Sequence, residues 1–377
     1  MRPAFSSTQQ AAAFAGLLLV VLFSPVLAGK KFLPPREQSY AMQAWDNGPY
    51  PWLRQQIFDE TNDIDLAFVG SSLMMWDLDT PYVQSRLSEK LGHQAVVRSI
   101  CWGGTGYDGL YFIVQDLLAH RKVHVLVFYD EDNVFKNYRN PQASLWFRFG
   151  DNADALAGLP IGEQALFYFS AIIGIPRNLL AQLSPVVPAA LTSAQPNYME
   201  KMFHTPNPAA RLGSVASELG CTPAADGQGF VPFTPPARYQ QDEVCVYSAT
   251  NQNGFLFLNE PLPAWQEHFA RKFAELAGQR GCKLVLLSLP QLDTNRPQAL
   301  RERAFWPAVL HNNLIMLGVP PARLFAGLSD ESIYRLYANA GHRNNAYASH
   351  FNRNGQQYFT RLMTPALLQI YETSTNR

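Results

Sequence analysis

The stretch Asp65-Leu66-Ala67-Phe68-Val69-Gly70-Ser71-Ser72-Leu73 constrains this chain more than any other. Its apolar run reads as a buried strand that ends in Gly-Ser-Ser. A helix signal follows within a few residues, with Asp79 or Thr80 as cap and Pro81 in the first turn. A serine hydroxyl therefore stands at the mouth of a strand-to-helix turn, where backbone N–H groups favour developing negative charge. A serine in that place acts as a nucleophile if a base reaches it.

Further strand signals alternate with helices. Residues 95–100 read as a second strand, 123–129 as a third and 283–289 as a fourth. Helices are expected over 80–92, 108–121, 260–279 and 298–317, and a short strand near Arg323-Leu324-Phe325. This pattern predicts an α/β fold, a three-layer parallel sheet with helices on both faces. Between the third and fourth strands lie about 130 residues that a minimal fold of this kind does not need. Residues 161–183 are apolar and helix-like, and 184–255 are Pro-rich with little periodicity, so the insertion 134–260 is expected to be mostly helical or irregular. Loops at the carboxyl edge of such sheets build specificity, which makes this insertion a candidate lid.

The base that could serve the serine stands far downstream, in Tyr347-Ala348-Ser349-His350-Phe351-Asn352-Arg353-Asn354-Gly355, with a closing amphipathic helix over 356–368. Each block alone also fits an ordinary turn and a surface histidine. Together, in this order, they resemble the SGNH (GDSL-like) hydrolase family, whose core is a flavodoxin-like sheet. There the nucleophile follows strand one in a Gly-Asp-Ser block and the base comes from a late Asp-x-x-His block. Gly70-Ser71-Ser72 matches the first, with Ser71 in the aspartate's place, and His350 with Asn352 and Gly355 matches the last. The resemblance implies Ser72 as nucleophile and His350 as general base. It implies Gly103, after Ala95–Ile100, as a backbone oxyanion donor, Gly104 being one residue off. It also places an oxyanion-binding asparagine after the third strand. Gapless matching selects Asp132, which cannot donate when ionised, so Asn133 is the better candidate.

One position departs from the family. Tyr347 stands where the aspartate that orients the histidine belongs. Three readings follow. The site runs as a Ser-His dyad; or Asp130, Asp132 or Asp330 supplies the acid; or the chain is a relative that kept the fold and lost the chemistry.

Composition narrows the function further. The chain has 377 residues, 47% of them hydrophobic and 16% charged, with no net charge. That gives ample core and no electrostatic reason to expect nucleic acid. No Lys-Ser/Thr pair follows Gly103-Gly104-Thr105-Gly106, so nucleotide binding is not expected. No Cys-x-x-Cys spacing occurs, and neither a metal nor a cofactor is expected. Cys221 and Cys245 flank a Gly/Pro-rich stretch that a disulfide would staple in an oxidising compartment, whereas Cys101 and Cys282 read as single buried residues.

Residues 1–28 read as a signal peptide or membrane anchor, because 11–28 is uncharged and almost wholly apolar. Val26-Leu27-Ala28 is an imperfect cleavage site, which favours the uncleaved anchor. Residues 29–60 then form a linker packed across the domain, and 61–377 the catalytic domain. The expected location is the periplasmic or extracellular face, held to the membrane through 11–28. Envelope-anchored members resembling this chain act on cell-envelope polysaccharides through acyl esters, some beside a membrane-bound O-acyltransferase. The expected activity is therefore O-acyl transfer to or from a polysaccharide. A carbohydrate deacetylase and a non-catalytic binding protein are the alternatives.

Overall fold

The computed structural model describes residues 5–28, 36–37, 40, 50–101, 106–130, 153–169, 244–248, 251, 253–292, 295–310, 314–334, 336–337, 350–351 and 353–375. The N-terminal helix α1 (Thr8–Ala28) is followed by α2 (Tyr50–Arg54), which runs into a π-helical turn (Gln55–Asp59). Then come β1 (Ile64–Gly70), α3 (Ser72–Asp77), α4 (Thr80–Leu91), β2 (Val97–Cys101), α5 (Tyr107–His120) and β3 (Val123–Phe128). The middle of the chain gives α6 (Ala153–Leu156), β4 (Cys245–Tyr247) and β5 (Phe255–Leu258). The last third gives α7 (Ala264–Gln279), β6 (Lys283–Leu287), β7 (Leu300–Arg303), α8 (Phe305–Leu310), β8 (Leu314–Gly318), α9 (Pro321–Leu324), α10 (Asp330–Tyr334) and α11 (Arg353–Thr375).

Six strands form the main sheet in the order β2-β1-β3-β6-β8-β4. The first five are parallel, and β4 runs antiparallel to β8 along one edge. In sequence order the parallel strands read second, first, third, fourth, fifth, an order known from doubly wound sheets. The order in which strands are added reverses at β1: the chain passes from β1 to β2 on one side and then crosses back to β3 on the other. Right-handed crossovers then place α4 and α5 on opposite faces. The strands are apolar throughout because both faces are covered: Leu66, Phe68, Val69, Val125, Val127, Val285 and Leu287 are all fully buried. Aromatic rings fill the α5–α7 side. Phe112 packs at a tilt with its ring centroid 5.6 Å from that of Phe269, and Phe128 lies edge-on to both Phe273 and Trp306 at 5.0 Å.

The structure corrects the sequence reading in four places. Residues 298–317 are not one helix but β7, the short α8 and β8, so the fifth parallel strand is Leu314–Gly318. Residues near Arg323 form the helical turn α9 rather than a strand, because Pro320 and Pro321 preset helical φ at its start. The sheet is mixed, not wholly parallel. Its antiparallel edge strand comes from the end of the insertion, which also supplies β5, paired in parallel with β7. Finally, an extra helix, α3, intervenes between β1 and the Asp79-capped α4, whose cap carboxylate accepts from Tyr82 N.

The segment before β1 packs onto the sheet. Trp52 Nε1 donates to Ser99 O at 3.1 Å, and Arg121 donates to the carbonyls of Gln56 and Asn62 at 2.7 and 2.8 Å. Helix α1 exposes Phe14, Leu17, Leu18, Leu19 and Val20. Among the residues described to the side chain, which in α1 end at Val20, no helix is long and apolar enough to cross a membrane.

Candidate active site

The nucleophile end is shaped by a glycine. A Cβ on Gly70 would lie 2.7 Å from Tyr129 Cε1, so only glycine lets the Tyr129 ring cross the end of β1. Ser71 follows in an extended conformation as the cap position of α3. Its buried hydroxyl is hydrogen-bonded to Tyr129 Oη. Ser72 opens α3 and is only half-buried, so of the two hydroxyls it is the one that faces outward.

The base end is anchored by aromatic packing. Phe351 pairs with Tyr337 in an isolated antiparallel bridge, and its buried ring lies 4.7 Å from Tyr337 and 5.9 Å from Phe359. Gly355 permits this: a Cβ there would lie 2.2 Å from Leu336 O and 2.3 Å from Phe351 Cδ1. His350, just before that bridge, is held at 8% exposure with Nε2 2.9 Å from Ser72 Oγ. That distance suits a serine hydroxyl donating to an imidazole nitrogen.

The two ends are joined by three contacts between the segment after Ser72 and the segment after His350. Asp77 Oδ1 accepts from Phe351 N at 2.9 Å, Gln356 Nε2 donates to Leu78 O at 3.1 Å, and Asp79 N donates to Thr360 Oγ1 at 2.9 Å. Asp77 is fully buried. Burial pushes its carboxyl well above the usual carboxylate range, and the Phe351 N–H offsets this only in part. Its Oδ2 and Gln356 Oε1 are both buried acceptors with no donor among the described residues. A protonated Asp77 adds a donor to a region that lacks one.

The structure thus brings Ser72 and His350 together. Gly103, Gly104, Asp132, Asn133, Tyr347 and Asn352 lie outside the described residues. Two of the acids considered as orienters are engaged elsewhere. Asp130 accepts from Arg303 Nη1 at 2.5 Å and from the Tyr107 hydroxyl, while Asp330 pairs with Arg296 on the surface. The expected Cys221–Cys245 disulfide falls partly outside the described residues, since Cys221 is not among them; Cys245 is buried, with its Sγ 3.6 Å from Arg323 Nη1. Cys101 and Cys282 are buried, and their thiols are pushed up to about 12 by burial. Among the described residues no His, Cys, Asp and Glu gather as a metal site.

Sequence reasoning missed Asp77, Tyr129 and Tyr337. Asp77 carries one local signal, an acid inside an apolar Leu-Met-Met-Trp-Asp-Leu run, where an unpaired charge is disfavoured. Tyr129 and Tyr337 carry none, since aromatic residues are common in any core. No family model, curated protein or solved structure matches the chain.

Proposed function

We propose that the chain is a serine-dependent acyl-ester enzyme of the SGNH type, working through an acyl-Ser72 intermediate. The observation that carries this reading is the 2.9 Å contact of Ser72 Oγ with His350 Nε2, made across 278 residues at the carboxyl edge of the sheet. Ligands of open α/β sheets bind at that edge, at the point where strand order reverses, and Ser72 follows β1 at that point. His350 takes the hydroxyl proton as Ser72 Oγ attacks the acyl carbon. It then returns the proton to the leaving oxygen, and a second cycle with water or an alcohol releases the acyl group. The Ser72 and Gly103 N–H groups and the Asn133 amide are the proposed oxyanion donors. Asp132 stays the candidate orienting acid, since Asp130 and Asp330 are engaged elsewhere.

The proposed setting is an envelope membrane face, with a polysaccharide as the other substrate and a membrane-bound O-acyltransferase as donor partner. The uncharged run 11–28 and the exposed apolar residues of α1 support it. The test is labelling with a fluorophosphonate and mapping of the adduct by peptide mass spectrometry. Modification of Ser72 that vanishes in His350→Ala supports the reading. An unlabelled protein leaves the fold as a binding module.

A further inference from the structure

The same edge of the sheet holds a second polar centre. A cavity of about 330 Å³ is lined by residues that follow β3 and β6 and by residues of β7. Its size is at the lower end of ligand pockets, roughly 300–1,000 Å³. Two chains of contact link its wall to the neighbourhood of Ser72 and His350. Ser71 bonds Tyr129, whose neighbour Asp130 lines the cavity. Phe351, next to His350, bridges Tyr337, whose hydroxyl donates to Pro290 O of the cavity wall at 3.3 Å.

The lining mixes apolar residues such as Leu258, Leu289 and Val319 with polar groups whose charges balance. Asp130 is paired with Arg303 at 2.5 Å. Glu302 accepts from the Ser288 hydroxyl, and burial, with the Asp130 charge behind it, raises its carboxyl to about 8. At neutral pH Glu302 is therefore protonated. Glu260 and Arg301, the remaining charged groups of the lining, are opposite in sign. The lining carries no net charge to hold an ion, and its polar groups, though paired with one another, keep capacity for further hydrogen bonds that an apolar ligand would leave unused. A hydroxyl group both donates and accepts. It suits a wall that mixes a carboxylate, a carboxylic acid, a guanidinium and the Ser288 hydroxyl.

We propose that this cavity is a subsite for a neutral, hydroxyl-rich compound, a polyol or sugar ring, and that it seats the acyl acceptor beside Ser72. The acceptor role rests on the acyl-ester reading; the binding does not. In the transfer step an acceptor hydroxyl attacks the acyl carbon of acyl-Ser72 and His350 takes its proton. The bond from that carbon to Ser72 Oγ breaks, Oγ recovers the proton from His350, and the new ester departs.

The test is saturation-transfer NMR and titration calorimetry on the full chain, with glycerol, maltotriose and chitotriose as probes. At least one probe binds at pH 7. Its affinity for the unmodified protein falls about tenfold between pH 7 and pH 9 as Glu302 ionises, while Glu302→Gln binds as well at pH 7 and stays flat. Ser72→Ala binds with unchanged affinity. Failure of all three probes to bind, or the same pH slope in Glu302→Gln, overturns the subsite. Aryl-acetate turnover without probe binding overturns this proposal alone. Probe binding by a protein with no turnover supports the cavity and overturns the enzyme reading with its acceptor role.

Discussion

Asp77 is the residue on which the geometry of the dyad can be tested most sharply. Its Oδ1 holds the backbone N–H of Phe351, one residue from His350, and it ends the helix that Ser72 begins. Asp77→Ala leaves that buried N–H without an acceptor, which costs roughly 1–3 kcal/mol. For a domain of this size that lowers the melting temperature by roughly 1–5 °C. The base also loses an anchor, and a displacement of about 1 Å can cost on the order of 10² in rate. Asp77→Asn behaves differently, because it keeps the accepting oxygen and replaces a carboxyl that burial already favours as neutral. It holds turnover within a few-fold of the parent. The stability difference has a sign. Asp77 binds its proton more tightly folded than unfolded, so its contribution falls as pH rises from about 3.8 toward its raised folded value. Asp77→Asn lacks that loss and gains on the parent as pH rises from 3 to 7. The assays are aryl-acetate turnover, the rate of fluorophosphonate labelling, and urea unfolding at both pH values. If Asp77→Ala labels Ser72 as fast as the parent, the anchor does not position His350. If Asp77→Asn is as damaging as Asp77→Ala, the carboxyl is ionised and the argument from burial fails.

Ser72→Ala and His350→Ala should each lower aryl-acetate turnover by about 10³ or more, with the double variant no worse than either, because the two act as a unit. Ser71→Ala should lose far less, and a reversed order would shift the nucleophile to Ser71. Gly355→Ala should destabilise by roughly 1–3 kcal/mol, since the new Cβ would sit 2.2 Å from Leu336 O; an unchanged melting temperature would refute that packing. Glu302, raised from 4.5 to about 8 by burial, retains a proton on folding that the unfolded chain gives up. Stability should therefore fall as pH rises between those values and level off above them. Urea unfolding of Glu302→Gln should show a flatter profile, and parallel profiles would refute the assignment.

The strands that were legible, β1, β2, β3 and β6, are continuous apolar runs because each is buried on both faces. β8 was merged into a helix because apolar residues at 305–310 and 314–318 together mimic helical spacing, although Asn312 and Asn313 mark a break. β4 and β5 are three and four residues long and follow a Pro-rich stretch, too short to show a period. Ser72 and His350 were readable because their neighbourhoods are local: a strand ending in small residues, and a histidine before a helix. What holds them is not local. The Asp77–Phe351 contact spans 274 residues, and no window of sequence encodes a partner at that separation.

That separation has a consequence for how the chain comes alive. Ser72 and His350 close a loop of 278 residues, and His350 stands in the leader of the last described helix. A growing or truncated chain that has completed β1 through β8 holds its serine without its histidine, so on the acyl-ester reading reactivity would begin only when α11 docks. Loop closure of this length is costly in entropy, though the cost rises only as the logarithm of length. Contacts of such high sequence separation also form late in folding. On the acyl-ester reading the docked terminus is the element whose partial release would silence Ser72 while the sheet stands. In mild denaturant, loss of serine labelling should precede loss of helical circular dichroism.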